Sequence, residues 1–202
     1  MRCTILDYGT GTMQSVENAL KKLGNTVDHA NNPQDISNAD VLIFPGQGAF
    51  GPSLNQLSSC GLLHSIQTYV QSKRPFIGIC LGFQLLFRGS QEAKDTPGIG
   101  CFDGHFQQFN RHDVVVPHMG WNPILATSKT GLLHDFNNAC MYFVHSYYLP
   151  ISFSTGCHAI THYGHPFISA MTNDTQLLTQ FHPEKSGDAG LALLNQFLKG
   201  LP

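Results

Sequence analysis

Residues 78–87, GICLGFQLLF, place one cysteine, Cys80, between Gly78 and Gly82, where an apolar strand pattern gives way to a helical one. A nucleophile on a strand–turn–helix corner needs small neighbours, because the backbone must bend sharply and stay clear of a substrate. G-x-C-x-G is the thiol counterpart of the G-x-S-x-G elbow. At the head of a helix, unpaired N–H groups and partial positive charge favour a thiolate. The same cysteine also fits an ordinary core, since a free thiol packs as a small hydrophobe. Near the C-terminus, QFHPEKS offers His182 and, two residues on, Glu184. Residues two apart in an extended segment share a face. The carboxylate can then hold one imidazole nitrogen while the other faces a thiol, which is how a nucleophile is activated. The bland alternative is a strand end followed by a solvated carboxylate. A third element, PGQGAFG (45–51), follows the apolar run VLIF and carries three glycines. Such a loop permits positive φ and lets N–H groups converge on an anion, as an oxyanion hole requires, although it also suits a plain strand-to-helix connection.

These segments need a frame. CTILDYG, TVDHA, VLIFPG and FIGIC are short apolar runs that predict strands. Between them, helical spacing covers Met13–Leu23, ended by Gly24, and roughly Leu62–Gln71, while LGFQLLF follows FIGIC directly as a helix. Strands joined by helices imply a parallel sheet covered on both faces. In the second half the rhythm changes. CFDGHFQQF, VVVPHM, CMYFVHSYYL, CHAITHYG, FISAMT and QLLTQFH are closely spaced strand candidates, and a last helix spans about Ala189–Leu198. The expected fold is α/β: a mixed sheet with central parallel strands flanked by helices, with added antiparallel strands, in one domain over 1–202. Ligands bind such sheets at the carboxyl ends of the parallel strands, where Cys80 and the glycine loop are both expected.

The bulk properties bound the partners. The 202 residues suffice for one core-bearing domain. A net charge of −2 gives no reason to expect nucleic acid or an anionic membrane. Charged residues reach only 12%, about half the usual roughly 25%, a hint that another protein covers part of the surface. The six cysteines form no C-x-x-C pair and are too sparse for a disulfide scaffold. No signal-peptide pattern and no run of ~18 apolar residues occurs, so a cytoplasmic protein is the simplest expectation.

Taken together, PGQGAFG, GICLGFQLLF and FHPEKSG, in this order and spacing, resemble the class I glutamine amidotransferases. VPHMGWN (116–122), YFVHSYY (142–148) and the opening DYGTGTMQSVENALKKLG are similar to the glutaminase subunits of imidazole glycerol phosphate synthase. The resemblance implies a catalytic triad of Cys80, His182 and Glu184, which hydrolyses glutamine through a γ-glutamyl thioester. It implies an oxyanion hole from the N–H of Leu81 and an N–H of the loop at Gln47 and Gly48. Gly48, Gln84 and Glu92 match positions that hold the ends of the glutamine zwitterion, and His145, Ser146 and Tyr147 match a strand that contacts it through its backbone. The partner implied is a HisF-type (β/α)8-barrel cyclase, which uses the ammonia in histidine biosynthesis. Thr12, Trp121, Tyr142 and Lys185 match that subunit interface, although Trp121 would also serve as a core residue. The family pattern has valine at Gln47 and asparagine at Thr12. An alternative within the resemblance is a related glutaminase subunit that supplies another amidotransfer, such as surface-sugar modification. A catalytically dead stabilising subunit and a free-standing cysteine hydrolase are the competing classes.

No cofactor is implied. GTGT (9–12) does not complete G-x-G-x-x-G, because Gln14 stands at the third glycine position. His158, His162 and His165 invite a metal reading, but the segment alternates as a strand and turns at Tyr163–Gly164, so no metal site is expected.

Overall fold

Short runs without polar residues suit strands covered on both faces, and VLIF (41–44) and FIGI (76–79) are such runs, buried throughout. The computed structural model describes residues 1–9, 13–153 and 156–202. It places β1 (Arg2–Leu6), α1 (Gln14–Lys22), β2 (Thr26–Ala30), α2 (Pro33–Asn38), β3 (Val41–Phe44), α3 (Phe50–Ser59), α4 (Leu63–Gln71), β4 (Phe76–Ile79) and α5 (Leu81–Leu85) in chain order. The strands pair in parallel as β2-β1-β3-β4. Period-two alternation sorts their side chains. Leu42, Phe44 and Phe76 join one apolar cluster with α3, α4 and α5. Val41, Ile43, Ile77 and Ile79 join another with α1 and the C-terminal helix. The short α2 starts at Pro33, with the Asn32 side chain accepting from the Asp35 N–H at 3.0 Å, the arrangement expected of a polar N-cap followed by proline.

The second half adds β5 (Phe87–Ser90), β6 (Phe102–Gln108), β7 (His118–Pro123), β8 (Leu125–Ala126), α6 (Leu132–Asp135), β9 (Cys140–His145), β10 (Tyr147–Pro150), β11 (Cys157–Tyr163), β12 (His165–Thr172), β13 (Gln176–Thr179) and α7 (Gly187–Lys199). β13 returns to lie parallel beside β4, and β12, β10 and β6 continue the sheet antiparallel from it. β7 and β9 form a separate antiparallel pair. The mixed sheet with a parallel centre is therefore as expected.

Three expectations fail locally. CMYFVHSYYL, read as one strand candidate, breaks at Ser146 into β9, which pairs with β7, and β10, which pairs with β12 and β6. The helix read over LGFQLLF stops after five residues, because Phe87 begins β5 and pairs with Phe102. The strand read over VVVPHM begins only at His118; Val114 instead closes a turn, its N–H donating to the Asn110 carbonyl at 3.2 Å. No helix among the described residues is long and apolar enough to cross a membrane.

Candidate active site

Three adjacent parallel strands, β3, β4 and β13, deliver the three chemical segments to one edge of the sheet. β3 runs into the Gly46–Gly48 loop, β4 into Cys80, and β13 through Gln180 into His182. Cys80 takes φ +53° and ψ −107°, a strained backbone for a residue with a Cβ. Its N–H is tied to the Thr179 carbonyl at 2.7 Å, so the neighbouring strand holds the corner. Packing around the corner leaves no room for larger residues. A Cβ on Gly82 would lie 1.9 Å from the Phe44 carbonyl oxygen, and one on Gly46 would lie 2.7 Å from both the Gly82 nitrogen and the Leu81 Cβ. The glycine loop thus lies directly against the first turn of α5.

His182 is buried and sits opposite Cys80. Its Nδ1 pairs with Glu184 Oε1 at 2.8 Å; the pairing is as expected, but it is made across the 3-10 turn Pro183–Lys185 and not along an extended segment. The main chain around it is pinned. The His182 N–H donates to the Tyr142 carbonyl at 2.9 Å, and the Ser186 hydroxyl donates to the His182 carbonyl at 2.6 Å. Burial pushes the imidazole toward neutrality. The charge and hydrogen bond of Cys80, then those of Glu184, overcome it and raise His182 to about 10. The site therefore favours an imidazolium at His182, between the Cys80 sulfur and the Glu184 carboxyl group.

The cleft at this edge has a volume of about 470 Å³ and collects the loop residues Gln47 and Gly48 with Cys80 and Leu81. Gln84, Glu92, His145, Ser146 and Tyr147 line it as well, and Tyr142 and Lys185 stand at it too. Glu92 Oε2 accepts the Phe50 N–H at 3.2 Å, and burial raises its carboxyl above the usual range despite that bond. A ligand ammonium would relieve the cost of its charge. Trp121 lies outside the cleft, 58% exposed, with its ring 6.0 Å from that of Tyr142, so it is not a core residue. Thr12 lies outside the described residues.

Gln180, which no motif in the sequence marked, also belongs to the site. Its Nε2 donates to Cys80 Sγ at 3.6 Å, and its Oε1 accepts from Gln84 Nε2 at 3.0 Å. The signal was present, since Gln180 stands two residues before His182 in the extended run that leaves β13. His118 and His145 were also missed as a pair; they are cross-strand partners on β7 and β9, with His118 Nδ1 and His145 Nε2 3.0 Å apart. His158, His162 and His165 spread along the β11–β12 hairpin, with His158 opposite Met171 and His162 opposite Pro166. Among the described residues no group of three or more His, Cys, Asp or Glu is placed to hold a metal.

The buried histidines carry a pH prediction. Burial lowers His118 to about 4. Burial lowers His145 to about 3, with the charges of His118 and His182 adding and the Tyr147 carbonyl opposing. Both are neutral in the fold and titrate near 6.5 when unfolded. Their contribution is complete above pH 6.5 and is lost as pH falls from there toward 4. Roughly 2 kcal/mol per histidine should disappear between pH 6.5 and 5. His182 is cationic in the fold across this window and adds little to the slope. Urea midpoints at the two pH values test this; an unchanged midpoint would refute a neutral buried pair.

The comparisons with known proteins agree with this geometry. The family model described as glutamine amidotransferase class-I matches residues 4–201. Imidazole glycerol phosphate synthase subunit HisH of Deinococcus radiodurans is 40% identical, over 98% of this chain and 93% of that one. Subunit HisH 1 of Methanococcus maripaludis is 38% identical, over 96% of this chain and 98% of that one. The chloroplastic imidazole glycerol phosphate synthase hisHF of Arabidopsis thaliana is 42% identical over 96% of this chain, which spans only 33% of that longer protein. PurLQS from Thermotoga maritima shares the fold, with a TM-score of 0.74 at 15% identity, covering 98% of this chain and 97% of that one. A family match over nearly every residue, together with relatives of matching length, shows that the chain belongs to the class-I glutamine amidotransferases, in the branch of the HisH subunits of imidazole glycerol phosphate synthase.

Proposed function

We propose that residues 1–202 act as one glutaminase unit, which hydrolyses glutamine to glutamate and passes ammonia to a HisF-type cyclase in histidine biosynthesis. The observation that carries this reading is the convergence of Cys80 with the His182–Glu184 pair at the carboxyl ends of β4 and β13. The Cys80 thiolate attacks the glutamine side-chain carbonyl, and the N–H of Leu81 with one from the Gly46–Gly48 loop receives the oxyanion. The His182 imidazolium gives its proton to the departing amine, and ammonia leaves. Water then attacks the thioester, His182 takes a proton from it, and glutamate departs with the thiolate restored. Glu184 holds the imidazole in orientation throughout. Glu92 faces the α-ammonium, and the Ser146–Tyr147 backbone and Gln84 serve the rest of the zwitterion.

Ammonia released into open water is protonated near neutral pH and stops being a nucleophile, so a synthetic use requires a covered exit. Met119 and Trp121 stand 62% and 58% exposed on the outer face of β7, with Tyr142 and Lys185 at the neighbouring cleft. Exposed large apolar residues of this kind suit a partner protein. Glutamate release by the chain alone, and mixed with a HisF-type cyclase holding its nucleotide substrate, tests the proposal. A low basal rate that rises by orders of magnitude is expected. An unstimulated rate would leave the glutamine chemistry standing and discard the partner.

A further inference from the structure

A line of hydrogen bonds runs behind the cleft, from the partly buried side of β7 to the Ser146–Tyr147 backbone. Asn122 Nδ2 donates to the His162 carbonyl at 3.0 Å and lies 3.3 Å from His118 Nε2. His118 Nδ1 lies 3.0 Å from His145 Nε2, and His145 Nδ1 lies 2.7 Å from the Tyr147 carbonyl. Both ends of this line are backbone carbonyls, which only accept. The Tyr147 end requires the proton of His145 on Nδ1. Its Nε2 must then accept, which places the proton of His118 on Nδ1 as well. His118 Nε2 is left as an acceptor, and the amide nitrogen of Asn122 fills it. One direction of donation satisfies every atom, and the opposite one satisfies neither end.

The rings cannot turn away from this arrangement. His118 is 3% and His145 6% exposed. His118 is stacked between Phe143, at 4.8 Å, and Tyr163, at 4.0 Å. The neighbouring Ser146 carbonyl is separately held by the Phe109 N–H at 3.1 Å. The 145–147 segment is thus fixed from behind at two successive carbonyls while Ser146 and Tyr147 line the cleft in front.

We infer that Asn122, His118 and His145 form a one-way hydrogen-bond relay that positions the Ser146–Tyr147 backbone for the glutamine zwitterion, with Asn122 and His118 as positioning residues that touch no substrate atom. This rests on the glutaminase reading above. It extends that reading to two residues outside the cleft, one of them, Asn122, adjacent to the exposed Trp121 on the same strand. The neutral state that burial imposes on both histidines keeps the relay intact at physiological pH.

The relay has a built-in weak point. Asn122→Asp preserves shape but presents only acceptors to His118 Nε2 and to the His162 carbonyl. A neutral His118 must then move its proton to Nε2 to meet the carboxylate, and the Nδ1 proton that the rest of the line needs is lost; a second proton on His118 would keep the line, which is why a variant without ring nitrogens is paired with it. His118→Phe keeps the ring stack without either nitrogen. Nitrogen-15 NMR of the unsubstituted chain should show His118 and His145 both protonated on Nδ1; an Nε2-protonated His145 or His118 would overturn the relay without reference to glutamine. Calorimetric titration of glutamine into the Cys80→Ala chain, with and without Asn122→Asp or His118→Phe, gives the functional arm. A weakening of about ten-fold is expected for each, with the parallel glutamate-release assay showing a raised KM and kcat changed much less. Unchanged glutamine affinity in both substituted chains would refute the relay while leaving the glutaminase reading intact. Absence of glutamine binding by the Cys80→Ala chain itself would refute that reading and the relay's role with it.

Discussion

Replacing Cys80 with alanine should abolish glutamate release, lowering it by at least about four orders of magnitude, with the fold retained. Among the described residues that line the cleft, Cys80 is the one thiol. His182 and Glu184 lack a nucleophile to activate, and Gln180 Nε2 loses the sulfur it approaches at 3.6 Å. The structural cost is small, because alanine keeps the Cβ and every backbone bond of the corner, including the 2.7 Å bond from residue 80 to the Thr179 carbonyl. Two readouts separate chemistry from damage. Circular dichroism and the thermal midpoint should stay close to those of the parent chain. The His182 imidazole, held near 10 against burial first by Cys80 and then by Glu184, should titrate lower once the sulfur is gone. Residual turnover near the parent rate would remove Cys80 from the mechanism.

The second large effect is expected at Gly82, where alanine should destabilise the protein by more than about 3 kcal/mol. Glycine to alanine within a helix is ordinarily favourable by about 1 kcal/mol, so the sign of the result is informative. Here the added Cβ would meet the Phe44 carbonyl oxygen at 1.9 Å and the Phe44 carbonyl carbon at 2.8 Å. Phe44 is fully buried at the end of β3, and neither it nor the five-residue α5 can retreat without opening the core. At roughly 2–4 °C per kcal/mol for a chain of this size, the melting temperature should fall by at least about 6 °C. Gly200→Ala is the control. Its nearest neighbours would be 3.4 and 3.6 Å from the new Cβ, and its φ of −84° suits any residue, so little change is expected. An unaltered midpoint for Gly82→Ala would mean that α5 is not seated against β3 as described. Activity should fall with stability, since lifting α5 also moves Cys80 and the Leu81 N–H.

Glycine at 78 and 82, cysteine between them, and a histidine two residues from a glutamate are local patterns, so the candidates they mark were legible in the chain. The same is true of the alternation of Val41, Leu42, Ile43 and Phe44 between two cores, because side-chain direction in a strand is set by period two alone. Local patterns misled where a distant partner decided the outcome. Leu86 and Phe87 continue a helical sequence, yet Phe87 pairs with Phe102 and becomes a strand. Val114–Val116 looks like a strand, but a turn from Asn110 and the start of β7 at His118 place it outside the sheet.

From its sequence, then, came the candidates for nucleophile, base and orienting carboxylate, because each depends on residue type and on spacings of a few positions, and the resemblance to the class I glutamine amidotransferases joined them into one set. Only the tertiary structure decided that β3, β4 and β13 lie side by side, which brings segments more than a hundred residues apart to one sheet edge. It alone set β7 against β9 in the register that places His118 opposite His145. Strand order and register are fixed by which faces bury together across the whole chain, and no short stretch of residues holds that information.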